Sequence, residues 1–205
     1  MGNMETKLYS YKMMRATGFA PNPYFGVLTL AACKSGLRRA AQPGDWIAGW
    51  TAKGLKECPT DTGDERLVYL ARVTRKLTFP EYWEQYPQKR PVLKDRNADA
   101  YHGDNIYEPL PNRTHDPQQP DTFRQHKCSQ DKDHVKKAKD LKGIYVLVCE
   151  EFYYFNPSSP LEIPEAIRPK VPEGRSNPGA VTENPEEFIA YVKKHFGKCE
   201  KTSVA

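Results

Sequence analysis

The chain has 205 residues, enough to bury a hydrophobic core, and length alone favours one domain spanning 1–205. Hydrophobic residues make up 38% with 18 prolines and 13 glycines, and mean hydropathy is −0.78, so a small core with heavy irregular connections is expected. A formal net charge of +5 permits a nucleic-acid partner without demanding one, and no run approaches the ~18 apolar residues of a membrane span.

The 5 cysteines, Cys33, Cys58, Cys128, Cys149 and Cys199, are odd in number, widely spaced and without a CxxC pair. A disulfide framework is therefore not expected, and a reducing compartment fits. The opening MGNMETKLYSYKMMR lacks the apolar stretch of a secretory signal. The cytoplasm is the expected location.

In chain order, Lys7 to Met14 alternates apolar and polar residues and predicts a strand, ended by the turn-rich Gly18 to Pro23. Tyr24 to Ala32 fits a second strand or a buried stretch, and Ser35 to Ala41 a short helix closed by Pro43-Gly44. Asp45 to Thr51 and Arg66 to Leu77 are the clearest strands, with Trp46, Trp50, Val68, Leu70 and Val73 as expected core. Thr78-Phe79-Pro80-Glu81 carries an N-cap threonine, an early proline and a capping-box glutamate, which predicts a helix bearing Tyr82 and Trp83.

From about 94 to 142 the chain is polar and proline-interrupted, longer than an ordinary connection, and so is expected to be a functional or disordered insertion. Gly143 to Phe155 is strongly β-prone, as one long strand or a tight pair. Asn184-Pro185-Glu186-Glu187 opens a last helix with Phe188, Ile189, Val192 and Phe196 on one face, and a flexible tail is expected over 198–205.

The sequence contains no P-loop, GxGxxG, HExxH or GxSxG, which sets those enzyme classes and their cofactors aside. His102, His115, His126, Cys128 and His134 cluster in sequence, but their spacing matches no standard zinc pattern, and no metal site or cofactor is expected. Cys33 and Cys149 sit in apolar contexts that suit inert buried thiols. The Asp131 to Lys142 run fits a solvated helix face whose lysines could touch phosphate.

A base pocket needs a flat surface for stacking, polar groups for the base edge and cations for phosphate. Arg15, Arg38 and Arg39 lie beside expected strand ends, and Tyr24, Phe25, Trp46 and Trp50 could stack, although solvated arginines and core aromatics would look the same. Neighbours about 100° apart on a helix cannot share a direction, so only one of Arg38 and Arg39 could face a pocket. In Gly103-Asp104-Asn105-Ile106-Tyr107 a turn could aim Asp104 and Asn105 at a base, with Asp104 or His102 as a possible acid or base; the same residues also suit an Asx-turn.

The stretch from Leu37-Arg38-Arg39 through Pro43-Gly44-Asp45-Trp46 to Leu67–Val73 resembles the PUA-like superfamily, including its EVE and ASCH branches. That resemblance implies an α+β fold built on a small twisted β-barrel with short flanking helices, and a base pocket beside the barrel. A longer resemblance is carried by Leu8-Tyr9-Ser10-Tyr11, Gly18-Phe19-Ala20-Pro21-Asn22-Pro23-Tyr24-Phe25-Gly26, Thr29-Leu30-Ala31, Gly44-Asp45-Trp46-Ile47, Glu81-Tyr82-Trp83 and Gly103 to Tyr107. These residues look like the nucleotide modification associated domain family, branch 2, which implies action alongside DNA base hypermodification in phages and bacteria.

The expected partner is nucleic acid, DNA more readily than RNA, or a free nucleotide. The expected site comprises Arg15, Asn22, Tyr24, Arg38, Arg39, Trp46, Asn105 and Tyr107 for binding, with Asp104 and His102 for any catalysis. Two alternatives stand beside binding: a base-modifying enzyme, and an interaction subunit that docks a base-modifying enzyme through its middle loop.

Overall fold

The computed structural model describes residues 6–58, 65–111, 113, 114, 116, 118–130, 136–174 and 177–196. Strand β1 (Lys7–Met13) alternates its side chains as expected: Tyr9, Tyr11 and Met13 point to one face and Leu8 to the other. It pairs in parallel with β3 (Trp46–Thr51), which pairs antiparallel with β4 (Leu67–Arg72). With β9 (Glu151–Tyr154) and β10 (Ala180–Glu183) at its edges, the first sheet runs β10-β1-β3-β4-β9.

A second sheet runs β2-β8-β5, from β2 (Leu28–Leu30), β8 (Tyr145–Cys149) and β5 (Arg75–Thr78). Its Leu28, Leu30, Leu147 and Cys149 meet Tyr9, Tyr11, Ile47, Tyr69 and Ala71 of the first sheet in the central core. The outer face of the first sheet buries Leu8, Trp46, Ala48, Trp50 and Leu70 under α4 (Glu186–Phe196), whose Phe188, Ile189 and Val192 form the expected apolar stripe. The outer face of the second sheet is covered by α2 (Phe79–Gln85) and by residues of the middle segment.

The expected closed barrel is not what the described residues form: they make two open sheets packed face to face, plus the hairpin of β6 (Tyr107–Pro109) and β7 (Phe123–Gln125). The reason lies at two bends. Arg66 to Leu77, expected as one strand, breaks at Val73-Thr74, so that β4 joins the first sheet and β5 the second. Gly143 to Phe155 likewise breaks at Glu150 between β8 and β9, and Glu150 N–H donates to Thr74 Oγ1 at 3.0 Å, tying the bends together. Strands that change sheet at a corner join two layers without closing them.

The described residues of the middle segment are also more ordered than its composition suggests. Ile106, Tyr107, Phe123, Cys128 and Leu141 pack into the core against α2 and the second sheet, and α3 (Lys137–Leu141) closes the segment. Apolar residues spaced far apart in a polar stretch leave no periodic signal, yet each is buried. The tail expected over 198–205 lies outside the described residues, as do Asn112, His115, His134 and Cys199.

Candidate nucleic-acid interface

The end of β1, the loop after it, the start of α1 (Ser35–Ala40) and the outer side of α3 enclose a cleft of about 510 Å³. Tyr11, Met13 and Phe19 supply its apolar wall, and five lining side chains are cationic, Lys12, Arg15, Lys34, Lys136 and Lys139, against the single carboxylate of Asp140. Two of these charges are balanced nearby: Lys12 lies 3.2 Å from Glu65 and Arg15 lies 3.6 Å from Glu57. Lys136 and Lys139 are exposed, and Lys34 Nζ sits 4.4 Å from the Tyr11 ring centroid.

The approach to α1 is made by two consecutive left-handed residues, Cys33 (φ 58) and Lys34 (φ 39). Such conformations cost about 1–3 kcal/mol each without glycine and persist where surrounding contacts dictate them. Here the dictating contact is the Cys33 N–H, which donates to Asp140 Oδ1 at 2.7 Å. Asp140 Oδ2 accepts from the Tyr107 hydroxyl at 2.8 Å. Burial raises the Asp140 pKa above the ordinary carboxylate value, against these hydrogen bonds and the nearby Arg38 guanidinium.

Arg38 is fully buried beneath the cleft. Its Nε donates to Cys33 O (2.9 Å), Nη1 to Tyr145 O (2.6 Å) and Nη2 to Asp140 O (2.5 Å), so one guanidinium holds α1, α3 and β8 together. Burial lowers its pKa to about 10. Gly143 makes room for it, since a Cβ there would collide with the Arg38 guanidinium.

Arg39 points outward, its Nη1 donating to Lys142 O at 3.3 Å. Arg15 lines the cleft, and Tyr107 supports it through Asp140. Tyr24 and His102 stack on each other at 5.0 Å and 13°, beside the cleft residue Thr17, whose backbone bonds His102. Desolvation lowers the His102 pKa.

Asp104, Asn22 and Asn105 belong to a separate buried network. Tyr82 Oη donates to Asp104 Oδ1 (2.5 Å) and Thr29 Oγ1 to Oδ2 (2.8 Å), while Lys89 Nζ donates to Asn22 O, Asn22 Oδ1, Val27 O and Thr29 Oγ1. Asn22 Nδ2 donates to His102 O, and Asn105 Nδ2 closes α2 on Tyr82 O and Tyr86 O. Trp46 lies on the far face of the first sheet, with Lys193 Nζ 5.3 Å from its ring centroid.

Arg15, Trp46 and Asp104 therefore do not share a cavity. Sequence reasoning missed Lys34 and Asp140 as cleft residues and Lys89 altogether, because their roles arise from contacts far along the chain. The lysines of α3 were visible as a charge run. Cys33, expected to be a buried thiol, is exposed at the cleft, whereas Cys149 is fully buried as expected. Desolvation against the wall and the Asp140 charge raise the Cys33 pKa, with Arg38, Lys139 and Lys34 opposing.

Among the described residues no helix is long and apolar enough to cross a membrane. Neither curated proteins nor solved structures give a match. A family model, described as nucleotide modification associated domain 2, matches residues 5–205. A match over essentially the whole length, through both sheets, the middle segment and the cleft, makes the chain a member of the nucleotide modification associated domain 2 family.

Proposed function

We propose that the cleft beside β1 binds nucleic acid, DNA in the first instance, by taking a base against Tyr11, Met13 and Phe19 and its phosphates against Arg15, Lys34, Lys136 and Lys139. The observation that carries this reading is the convergence of these cations on one apolar-walled cleft of a size that suits small ligands. Membership of a family associated with nucleotide modification supports it. Asp140 then faces the ligand as the polar group able to accept from a base edge.

The test is binding of single-stranded and duplex oligonucleotides, plain and base-modified, followed against salt. Removing one phosphate-binding cation should reduce the salt slope by roughly 0.7 to 0.9. Lys34→Ala with Lys139→Ala is expected to weaken binding and flatten the slope by about 1.5. No binding at low salt, or wild-type slopes in the double variant, contradicts the proposal.

A second reading is proton chemistry on the bound base, for which Asp140 is favoured over Asp104 because it lines the cleft, although it too is buried, with Oδ1 accepting from Cys33 N–H and Oδ2 from the Tyr107 hydroxyl. A carboxyl whose pKa is raised becomes neutral at a higher pH than usual, and its protonation removes a negative charge from an anion site. Oligonucleotide affinity should therefore rise as pH falls through the Asp140 titration, and Asp140→Asn should abolish that dependence. An unchanged pH profile in the variant removes Asp140 from the site.

A further inference from the structure

The cleft is not the end of the basic surface. Lys34, just before α1, and Lys139 of α3 lie at the cleft, whereas Arg39 of α1 and Lys142, just after α3, lie beyond it. Outside the cleft, Arg39 Nη1 donates to Lys142 O at 3.3 Å and Lys76 Nζ donates to Arg39 O at 2.7 Å. Lys76 also sits 4.6 Å from the Tyr145 ring centroid. Two of these cations, Arg39 of α1 and Lys76 of β5, are thus held on backbone carbonyls, which orient them without cancelling their charge, and the exposed Lys142 at the end of α3 supplies one of those carbonyls.

The charge is little opposed locally. Among the described residues none of the three makes an ion pair, and Asp45, which acts on Lys76 at longer range, is held by Gln42 N–H at 2.8 Å and Lys7 N–H at 3.3 Å. An apolar side chain joins them: Ile144, between Lys142 and Tyr145, is held at φ 65 with 36% of its surface exposed. A β-branched residue in that region is an outlier, and here it keeps an isoleucine on the surface among cations.

The extent of this basic surface suits a polymer: Lys34 and Lys139 line the cleft, whereas Arg39, Lys142 and Lys76 lie outside it and continue the positive charge beyond its lip. We infer that the ligand of this protein is a polynucleotide strand, whose backbone leaves the cleft between α1 and α3 and crosses the ridge of Arg39, Lys142 and Lys76. This inference rests on the cleft reading above, because it names the class of ligand that cleft takes. A free nucleotide would use the cleft and leave the ridge empty.

The experiment measures, by fluorescence anisotropy and competition, the affinity of the wild-type chain for deoxycytidine monophosphate and for single-stranded DNA of increasing length. Affinity is expected to climb with length by at least tenfold. In the triple variant Arg39→Ala, Lys76→Ala, Lys142→Ala that gain should disappear and the salt slope fall by about 2, from roughly 0.7 per single-strand phosphate, with mononucleotide affinity unchanged. Because Lys76 is half-buried, the exposed pair Arg39→Glu, Lys142→Glu serves as a second variant, and it should lower strand affinity further.

A mononucleotide that binds the wild type as tightly as a long strand overturns this inference while leaving the cleft reading intact. So do unchanged slopes in both ridge variants. If neither mononucleotide nor strand binds, the cleft reading falls and this one with it.

Discussion

A lysine ammonium taken out of water costs several kcal/mol unless its donors are met, and Lys89 meets that condition with oxygens of Asn22, Val27 and Thr29 at 2.8 to 3.1 Å. Thr29 Oγ1 links it to Asp104, so the two opposite charges share one network. Burial still dominates, pushing the Lys89 pKa down to about 8 and raising that of Asp104. Between about pH 8 and the ordinary lysine value of 10.5 the unfolded chain binds more protons than the folded one, so this group makes stability rise with pH across that window. The raised Asp104 acts oppositely: its contribution is present below the ordinary value of 3.8 and lost as pH rises through the folded pKa. Removing either partner strands the other, and Lys89→Met or Asp104→Asn should each cost about 3–5 kcal/mol. The double variant should cost less than the sum by about 0.5–3 kcal/mol. Urea unfolding of the four proteins at several pH values checks this; additive losses, or a rise between pH 8 and 10.5 that survives in Lys89→Met, would show that the network is not coupled. Nothing in Pro87-Gln88-Lys89 signals such burial in the sequence, because the acceptors lie 60 to 67 residues away.

At the level of elements, local chemistry was legible and long-range anchoring was not. Thr78 Oγ1 accepts from Glu81 N–H at 3.4 Å and Glu81 Oε2 accepts from Thr78 N–H at 2.7 Å, the capping box that the four residues spell out. Likewise α4 presents Phe188, Ile189 and Val192 to the first sheet because helical spacing requires it. The pair Arg38 and Arg39 shows the limit. Helical geometry demanded that they diverge, but which one turned inward depended on carbonyls of Asp140 and Tyr145, 102 and 107 residues away. The same distance hides the role of Gly143, whose missing side chain admits the Arg38 guanidinium. Gly143→Ala should therefore destabilise by about 1–3 kcal/mol through forced displacement of a bonded side chain, and it should also weaken oligonucleotide binding by loosening α3 against α1. Thr78→Ala should cost a comparable ~1 kcal/mol by losing a cap and leave binding intact. Chemical denaturation and anisotropy on the two variants separate these effects, and equal binding by both would remove the Arg38 clamp from the function.

Across the whole molecule, the strand-forming residues could be read but their partition between sheets could not. Val73-Thr74 and Glu150 look like ordinary interior positions of β-prone runs, and long-range contacts such as the bond from Glu150 N–H to Thr74 Oγ1 mark them as corners. The middle segment, polar by composition, becomes part of the architecture because Phe123, Cys128 and Leu141 fill the layer outside the second sheet and leave α3 beside β1 and α1. That placement brings the α3 lysines to Arg15 and Lys34, so the site depends on contacts between regions that composition alone would separate. The central claim is that this cleft receives the base. Photo-cross-linking with a single strand carrying 5-iodouracil, followed by mass-spectrometric mapping, tests it most directly. Adducts are predicted on Tyr11, Met13, Phe19 or Cys33, whereas adducts confined to Tyr24, His102 or Trp46 would contradict the assignment.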